Sequence, residues 1–259
     1  MKLYKNLLSI LTLILFTSAF ISCKKDNKPE PDPIGTGKVK IEFENKVGDE
    51  ELELDDQTYT NAHGDNFTVS TFKYYVSNIK LLKADGSGFA VPESYLLIDA
   101  ADASSSLHTL EGIPAGDYTG ISYTIGVDSA RNFAGAQTGA LDPINDMFWT
   151  WDSGYIFVKF EGNSPQSTAV DDKLTFHIGG AKSPNNTVRA STKTFNGDIL
   201  RVRSNSQPQI HLAADVATLF TGTTNINFAT LSFTMGGINS VIVADNYADS
   251  FITVEHLHN

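Results

Sequence analysis

Apolar and polar residues alternate along much of the chain beyond residue 38. Val39, Ile41 and Phe43 interleave with Lys40, Glu42 and Glu44, the period of two that a half-buried strand requires. Residues 67–82 form a longer run dense in Phe, Tyr, Val and Ile, side chains that suit a pleated surface. Residues 95–98, 116–127, 155–160, 174–178 and 251–256 read the same way, as do Leu200, Val202 and Ile210, Leu212 around a turn at 205–208. Asp85-Gly86, Pro114-Ala115-Gly116 and Gly179-Gly180 supply turn punctuation. Two helices are short: 216–220, capped by Asp215 with Gly222 beyond its end, and 238–247. Strand follows strand with no helix of crossover length. The pattern therefore predicts an all-β fold: a single antiparallel β-sandwich of Greek-key type, with long loops and one or two short helices. The longest loop, 128–145, contains Asn132, Gly135, Gly139 and Pro143, and long loops on a sandwich are where function resides.

The first residues follow a different pattern. Lys2 and Lys5 precede an apolar run from Leu7 to Phe20, short for a membrane span, and Ser22 precedes Cys23, the single cysteine. Charged, apolar and small zones in this order make a secretory signal. Phe20-Ile21-Ser22-Cys23 resembles a bacterial lipobox, in which the thiol is acylated and becomes the mature N-terminus. The alternative is an anchor helix with an incidental cysteine. Residues 24–37 hold three prolines, two glycines and Ile34 as the one large apolar side chain. Such a segment buries too little to offset its chain entropy and reads as an extended tether. The expected organisation is a lipoprotein signal at 1–22, lipidated Cys23 and a tether at 23–37, and a β-sandwich domain at 38–259. The protein would be held on a membrane of the cell envelope, the outer membrane by expectation, through N-terminal lipid.

Charge narrows the partners. The formal net charge is −11, and loss of residues 1–22 removes two lysines and no acid. An acidic domain excludes nucleic acid as the expected partner. A lone cysteine leaves the core to hold by burial, without an intramolecular disulfide.

Both tryptophans lie in Met147-Phe148-Trp149-Thr150-Trp151, where an extended backbone puts Trp149 and Trp151 on one face, either as a core anchor or as the lining of a site. Together with Leu141-Asp142-Pro143, Gly154-Tyr155 and Lys159-Phe160-Glu161-Gly162, this string resembles the signature of the MbnP-like family. That family is named for methanobactin-associated periplasmic copper-binding proteins. Residues 74–81, 113–118 leading into 125–128, and Phe176-His177-Ile178-Gly179-Gly180 fit the same resemblance, which runs from about Lys38 to the C-terminus. It implies a β-sandwich and copper. It also implies that histidines act with an oxidised tryptophan as ligand, Trp151 being the favoured candidate and Trp149 the other. The oxidation would need a partner, a dihaem peroxidase-like oxidase, and an outer-membrane metal receptor is the other partner implied.

No Gly-x-Ser-x-Gly, phosphate loop or His-Glu-x-x-His is present, so an enzyme is not expected. Six histidines carry more information. His256 and His258 stand at i and i+2, so a strand would turn both to one side as a chelating pair, against the alternative of a frayed tail. His177 ends a strand before Gly179-Gly180 and reads as a ligand or a hydrogen-bonded structural histidine. His63, His108 and His211 read as structural or exposed unless the fold converges them. The expected metal site is His177, His256 and His258 at one end of the sandwich, with Trp151 nearby. The reading is a lipid-anchored, exported metal-binding protein for copper uptake, storage or delivery. The other reading is a non-catalytic envelope module for a glycan or protein ligand. A calcium-stabilised sandwich lies between them, with Asp128, Asp142, Asp146 and Asp152 as hard oxygen donors. Changing Cys23 to Ala is expected to move the protein from the membrane fraction to the soluble fraction. Intact mass showing residues 1–22 retained and no acyl chain on the native protein would contradict the lipobox.

Overall fold

The computed structural model describes residues 34–150 and 153–259; Cys23, residues 24–33 of the tether, Trp151 and Asp152 lie outside the described residues. The main strands are β1 (Thr36–Val47), β2 (Asn66–Leu82), β3 (Tyr95–Asp99), β4 (Leu107–Pro114), β5 (Gly120–Ile125), β6 (Val158–Asn163), β7 (Lys173–Ile178), β8 (Arg189–Thr194), β9 (Gln209–Asp215), β10 (Phe233–Met235) and β11 (Ile252–His258). The helices are α1 (Ser129–Asn132), α2 (Ala217–Phe220) and α3 (Gly237–Tyr247). No helix among the described residues is long and apolar enough to cross a membrane.

Two large sheets form among the described residues. A five-stranded sheet runs β11–β9–β1, with β4 and Glu50–Glu51 also paired to β1. A nine-stranded sheet runs β8–β5–β2–β6–β7–β10, with β3 and two further short strands against β2. The all-β expectation holds, but the sheets are mixed rather than purely antiparallel. β1 runs parallel to β9, from Lys40 opposite Gln209 to Lys46 opposite Asp215, and β7 runs parallel to β10. Parallel neighbours need a long return path between them. Here that path is built from other strands and loops, so the lack of crossover helices did not exclude it.

The two sheets bury one core between them. Along β1 the alternation is realised: Val39, Ile41 and Phe43 are buried, while Lys40, Glu42 and Glu44 face outward. Across the gap, Phe43 meets Tyr74 edge-on at 6.2 Å, and the Tyr123 hydroxyl donates to the Ile252 carbonyl at 3.1 Å. Asp215, expected as the cap, stands one residue before the observed N-cap Val216; its Oδ1 accepts from the Ala217 amide at 2.9 Å and from the Gly48 amide at 2.8 Å. The single turn of α2 then places Phe220 among Phe67, Phe160, Phe176 and Phe228, with ring centroids 4.9–5.4 Å away. All four contacts are edge-on, the arrangement aromatic quadrupoles favour.

The excursion after β5 is not a bare loop. It carries its own small core of Val127, Leu141, Met147, Tyr155, Ile156 and Phe157 against Tyr75 of β2. Two buried tyrosines fasten it, the Tyr75 hydroxyl donating to the Ala140 carbonyl at 2.8 Å and the Tyr155 hydroxyl to the Leu141 carbonyl at 2.7 Å. Its acids have internal tasks. Asp128 caps α1 and accepts from Tyr95, Asp142 accepts from the Ile144 amide, and Asp146 pairs with Lys159. Among the described residues these three form no shared metal-binding group, and Asp152, the fourth acid considered, lies outside them.

His108 sits on β4 opposite Ile41, edge-on to Phe43 at 6.2 Å, and its Nε2 has no hydrogen-bond partner among the described residues. Burial holds its imidazolium form down, against the opposing pull of the Ser105 backbone. In the unfolded chain a histidine takes up its proton near pH ~6.5. Below that pH the unfolded state binds more protons than the folded one, so stability falls as pH falls.

Two outcomes are expected. Phe220→Ala should cost about 3–5 kcal/mol in urea unfolding; a loss under about 1 kcal/mol would contradict its place in the core. His108→Phe should shrink the drop in unfolding midpoint between pH ~7 and ~5, where histidines rather than carboxylates titrate. An unchanged slope would show that His108 is not held neutral.

Candidate metal centre

β11 is the edge strand of the five-stranded sheet, and its register on β9 decides which way its histidines point. Ala214 pairs with Ile252, Ala213 with Thr253 and Leu212 with Val254; then the register shifts, and His211 pairs with His256, Ile210 with Leu257 and Gln209 with His258. Glu255 is thus an extra residue opposite no partner, a β-bulge. In an unbroken register His256 would face Ile210 and point into the core, because a one-residue slip turns every side chain to the other face. The bulge turns His256 and His258 outward, where His211 also points.

The result is a cluster of three imidazoles. One ligand nitrogen from each of His211, His256 and His258 lies within 4.8 Å of the others. The His211 and His256 rings stack at 4.1 Å with planes 14° apart, and His258 stands edge-on to both, at 4.9 and 5.0 Å. Nitrogens sharing one ion at bonds of ~2.0–2.1 Å are separated by about 3–4 Å. Small side-chain rotations on this exposed face therefore suffice to converge them. The donor set is all imidazole, which suits copper, zinc and nickel. Partial burial, then His256, hold the His211 imidazolium form down, while Glu42 and Glu44 oppose this. The neutral ring is the ligating form.

Glu42 of β1 stands directly beside His211 across the parallel pairing. Its Oε2 is 3.1 Å from His211 Nδ1. The rest of the margin is charged, with Lys46 paired to Glu255 at 3.2 Å.

The expected convergence of His177 on the C-terminal pair does not occur. His177 lies on β7 of the nine-stranded sheet, opposite Lys159 and beside Met235. It is buried, and its Nε2 is 2.7 Å from Glu161 Oε1. Glu161 also accepts from Thr71 at 3.3 Å and lies 3.7 Å from Lys159, which itself pairs with Asp146 at 2.5 Å. Burial is the main reason the His177 imidazolium form is disfavoured; Glu161 pulls the other way. This is a structural network, and His211 takes the third place that His177 was expected to fill.

Trp149 is half-buried on the short strand Phe148–Thr150. Its ring edge lies so close over Gly179 that an added Cβ there would meet it at 2.8 Å. It thus belongs to the end of β7, two residues beyond His177, and not to the three-histidine cluster. A cleft of about 530 Å³ beside it is lined by Phe133, Lys182, Met235 and Gly236 among others. Trp151 lies outside the described residues, and with it the face expected to be shared by the two indoles. His63 rests on an exposed turn with its Nδ1 3.1 Å from Asp65.

The participation of His211 was hidden because strand pairing across the domain is not written in local pattern. The bulge did leave a trace: the apolar residues of β11 fall at Ile252, Val254 and Leu257, a spacing of two and then three. That break of phase places His256 and His258 on the face opposite Leu257.

No curated protein matches the chain. Among solved structures, MbnP from Methylosinus trichosporium aligns with a TM-score of 0.49 at 14% identity, over 73% of this chain and 80% of that one. The MbnP family model matches residues 36–240, so it includes His177 and His211 and stops before His256 and His258. A match of that extent assigns the fold-bearing part of the chain, and the protein belongs to the MbnP family.

Proposed function

We propose that this protein is a lipid-anchored, exported metal-binding protein that holds a transition-metal ion, copper as Cu(II) foremost, through His211, His256 and His258. The carrying observation is the mutual approach of three imidazoles on one solvent-facing patch. Nitrogen donors without a thiolate or thioether favour Cu(II) or Zn(II) over Cu(I). Three protein ligands leave coordination positions open, in contrast to the closed sets of structural sites. Two of the three histidines are exposed. An open, exposed site on an acidic protein suits capture and hand-over, hence uptake, storage or delivery rather than catalysis.

Acylation at Cys23 would keep this exchange at the membrane of the cell envelope, where an outer-membrane metal receptor is a fitting partner. The family resemblance adds an oxidised tryptophan ligand and a dihaem peroxidase-like oxidase to make it. Trp149, the described candidate, stands at the end of β7, so such chemistry would form a second locus and not complete the three-histidine patch.

Tag-free protein should bind about one equivalent of Cu(II), and its unfolding temperature should rise on loading, since a ligand at 100 times its Kd adds about 2.7 kcal/mol of stability. His211→Ala and the double variant His256→Ala/His258→Ala should each lose this binding, while His177→Ala keeps it. Equal affinity in the wild type and the double variant would exclude the C-terminal pair as ligands.

A further inference from the structure

The three histidines occupy three corners of a four-residue patch. Two successive outward cross-strand pairs build it, His211 with His256 and Gln209 with His258. Gln209 is the fourth corner, and its amide is already engaged. Gln209 Nε2 lies 2.5 Å from Glu42 Oε2 and 2.9 Å from His211 Nε2.

We propose that Gln209 is a built-in competitor for the metal: its amide caps the His211 Nε2 lone pair in the metal-free protein and must leave when an ion binds. This rests on the three-histidine reading above and concerns how that site is regulated.

The proton positions follow from the partners. A carboxylate only accepts, so the amide nitrogen, not its oxygen, faces Glu42. An amide nitrogen only donates, so His211 Nε2 must accept from Gln209, which places the ring proton on Nδ1, with Glu42 Oε2 an ion-pair distance of 3.1 Å away. A neutral imidazole protonated at Nδ1 has a bare Nε2, and this accepts the second N–H of the Gln209 amide. A metal ion needs that same lone pair, so amide and ion exclude each other at His211. Glu42 serves both states, because a carboxylate beside the far ring nitrogen favours the Nδ1 proton electrostatically and can take up its hydrogen bond when Gln209 leaves. Gln209 is half-buried at the patch, so its side chain has room to swing aside. The competing contact is one hydrogen bond, and its removal should tighten metal binding by about 2- to 13-fold. Loss of the Glu42 carboxylate should weaken it by about 10- to 100-fold. Gln209 is thus a positioning residue that sets a ceiling on affinity and eases release.

The test uses the full tag-free chain in detergent, titrated with Cu(II) and with Zn(II) against a competing chelator. Gln209→Ala, Gln209→Leu, Glu42→Gln and His256→Ala/His258→Ala are compared with wild type. Gln209→Leu retains side-chain bulk on the sheet without a donor, which separates loss of the amide from loss of packing. Imidazole ¹⁵N shifts of the metal-free protein report the His211 tautomer, a signature that packing alone would not move. Both Gln209 variants should bind more tightly, Glu42→Gln more weakly, and His211 should show a protonated Nδ1 with an Nε2 resonance that shifts when Gln209 is replaced. Unchanged or weaker binding in both Gln209 variants, or a protonated Nε2 in wild type, would overturn the competitor role while leaving histidine-dependent binding intact. No saturable binding in wild type, or binding that survives the double histidine variant, would remove the three-histidine reading and this inference with it.

Discussion

The parallel pairing of β1 with β9 is the constraint from which the candidate site follows. β1 opens the domain and β9 comes near its end, yet Lys40 through Lys46 pair residue by residue with Gln209 through Asp215. That pairing puts Glu42 beside His211 and leaves the other edge of β9 free for β11. It also gives Ile41, Phe43, Ile210 and Leu212 a common inner face against the nine-stranded sheet. Pairings between such distant segments meet their loop-closure entropy before any contact rewards it, so they are intrinsically slow to form. The candidate metal centre is accordingly a property of the finished sheet and of no local segment.

The alternation of β1 and the aromatic density of β2 were legible in the sequence because a two-sided strand writes its burial at period two. The extents of α2 and α3 were legible to within about one residue, α2 from the Asp215 and Gly222 that flank it. The parallel partners were not, since nothing in a strand's own pattern names its neighbour. The candidate site divides in the same way. His256 and His258 were readable from their spacing; His211 was a single imidazole until β9 met β11. His177 was misplaced because a histidine before a glycine turn has the same local appearance whether it faces an ion or a buried glutamate. The structure supplies the glutamate, Glu161, at 2.7 Å.

The two histidine environments show how setting divides one residue type between roles. His177 is buried, tied to Glu161 and backed by Lys159 and Asp146, an arrangement in which each charge answers another. Such a network costs stability when one member is removed, and the His177 Nε2 within it is already engaged by Glu161. The C-terminal cluster is the reverse: three rings on the outer face at the sheet edge, His211 on β9 and, on β11, His256 and His258 turned there by one extra residue at Glu255. The family match ends at residue 240. Membership in the family therefore rests on the sandwich, and the argument for metal rests on this chain's own last strand.

The most direct test of that argument is anomalous diffraction from crystals of the protein loaded with Cu(II), collected on both sides of the copper edge. The account predicts one strong peak between the rings of His211, His256 and His258, within bonding reach of a nitrogen from each. A peak beside Trp149 and His177, with none at the C-terminal cluster, would contradict it.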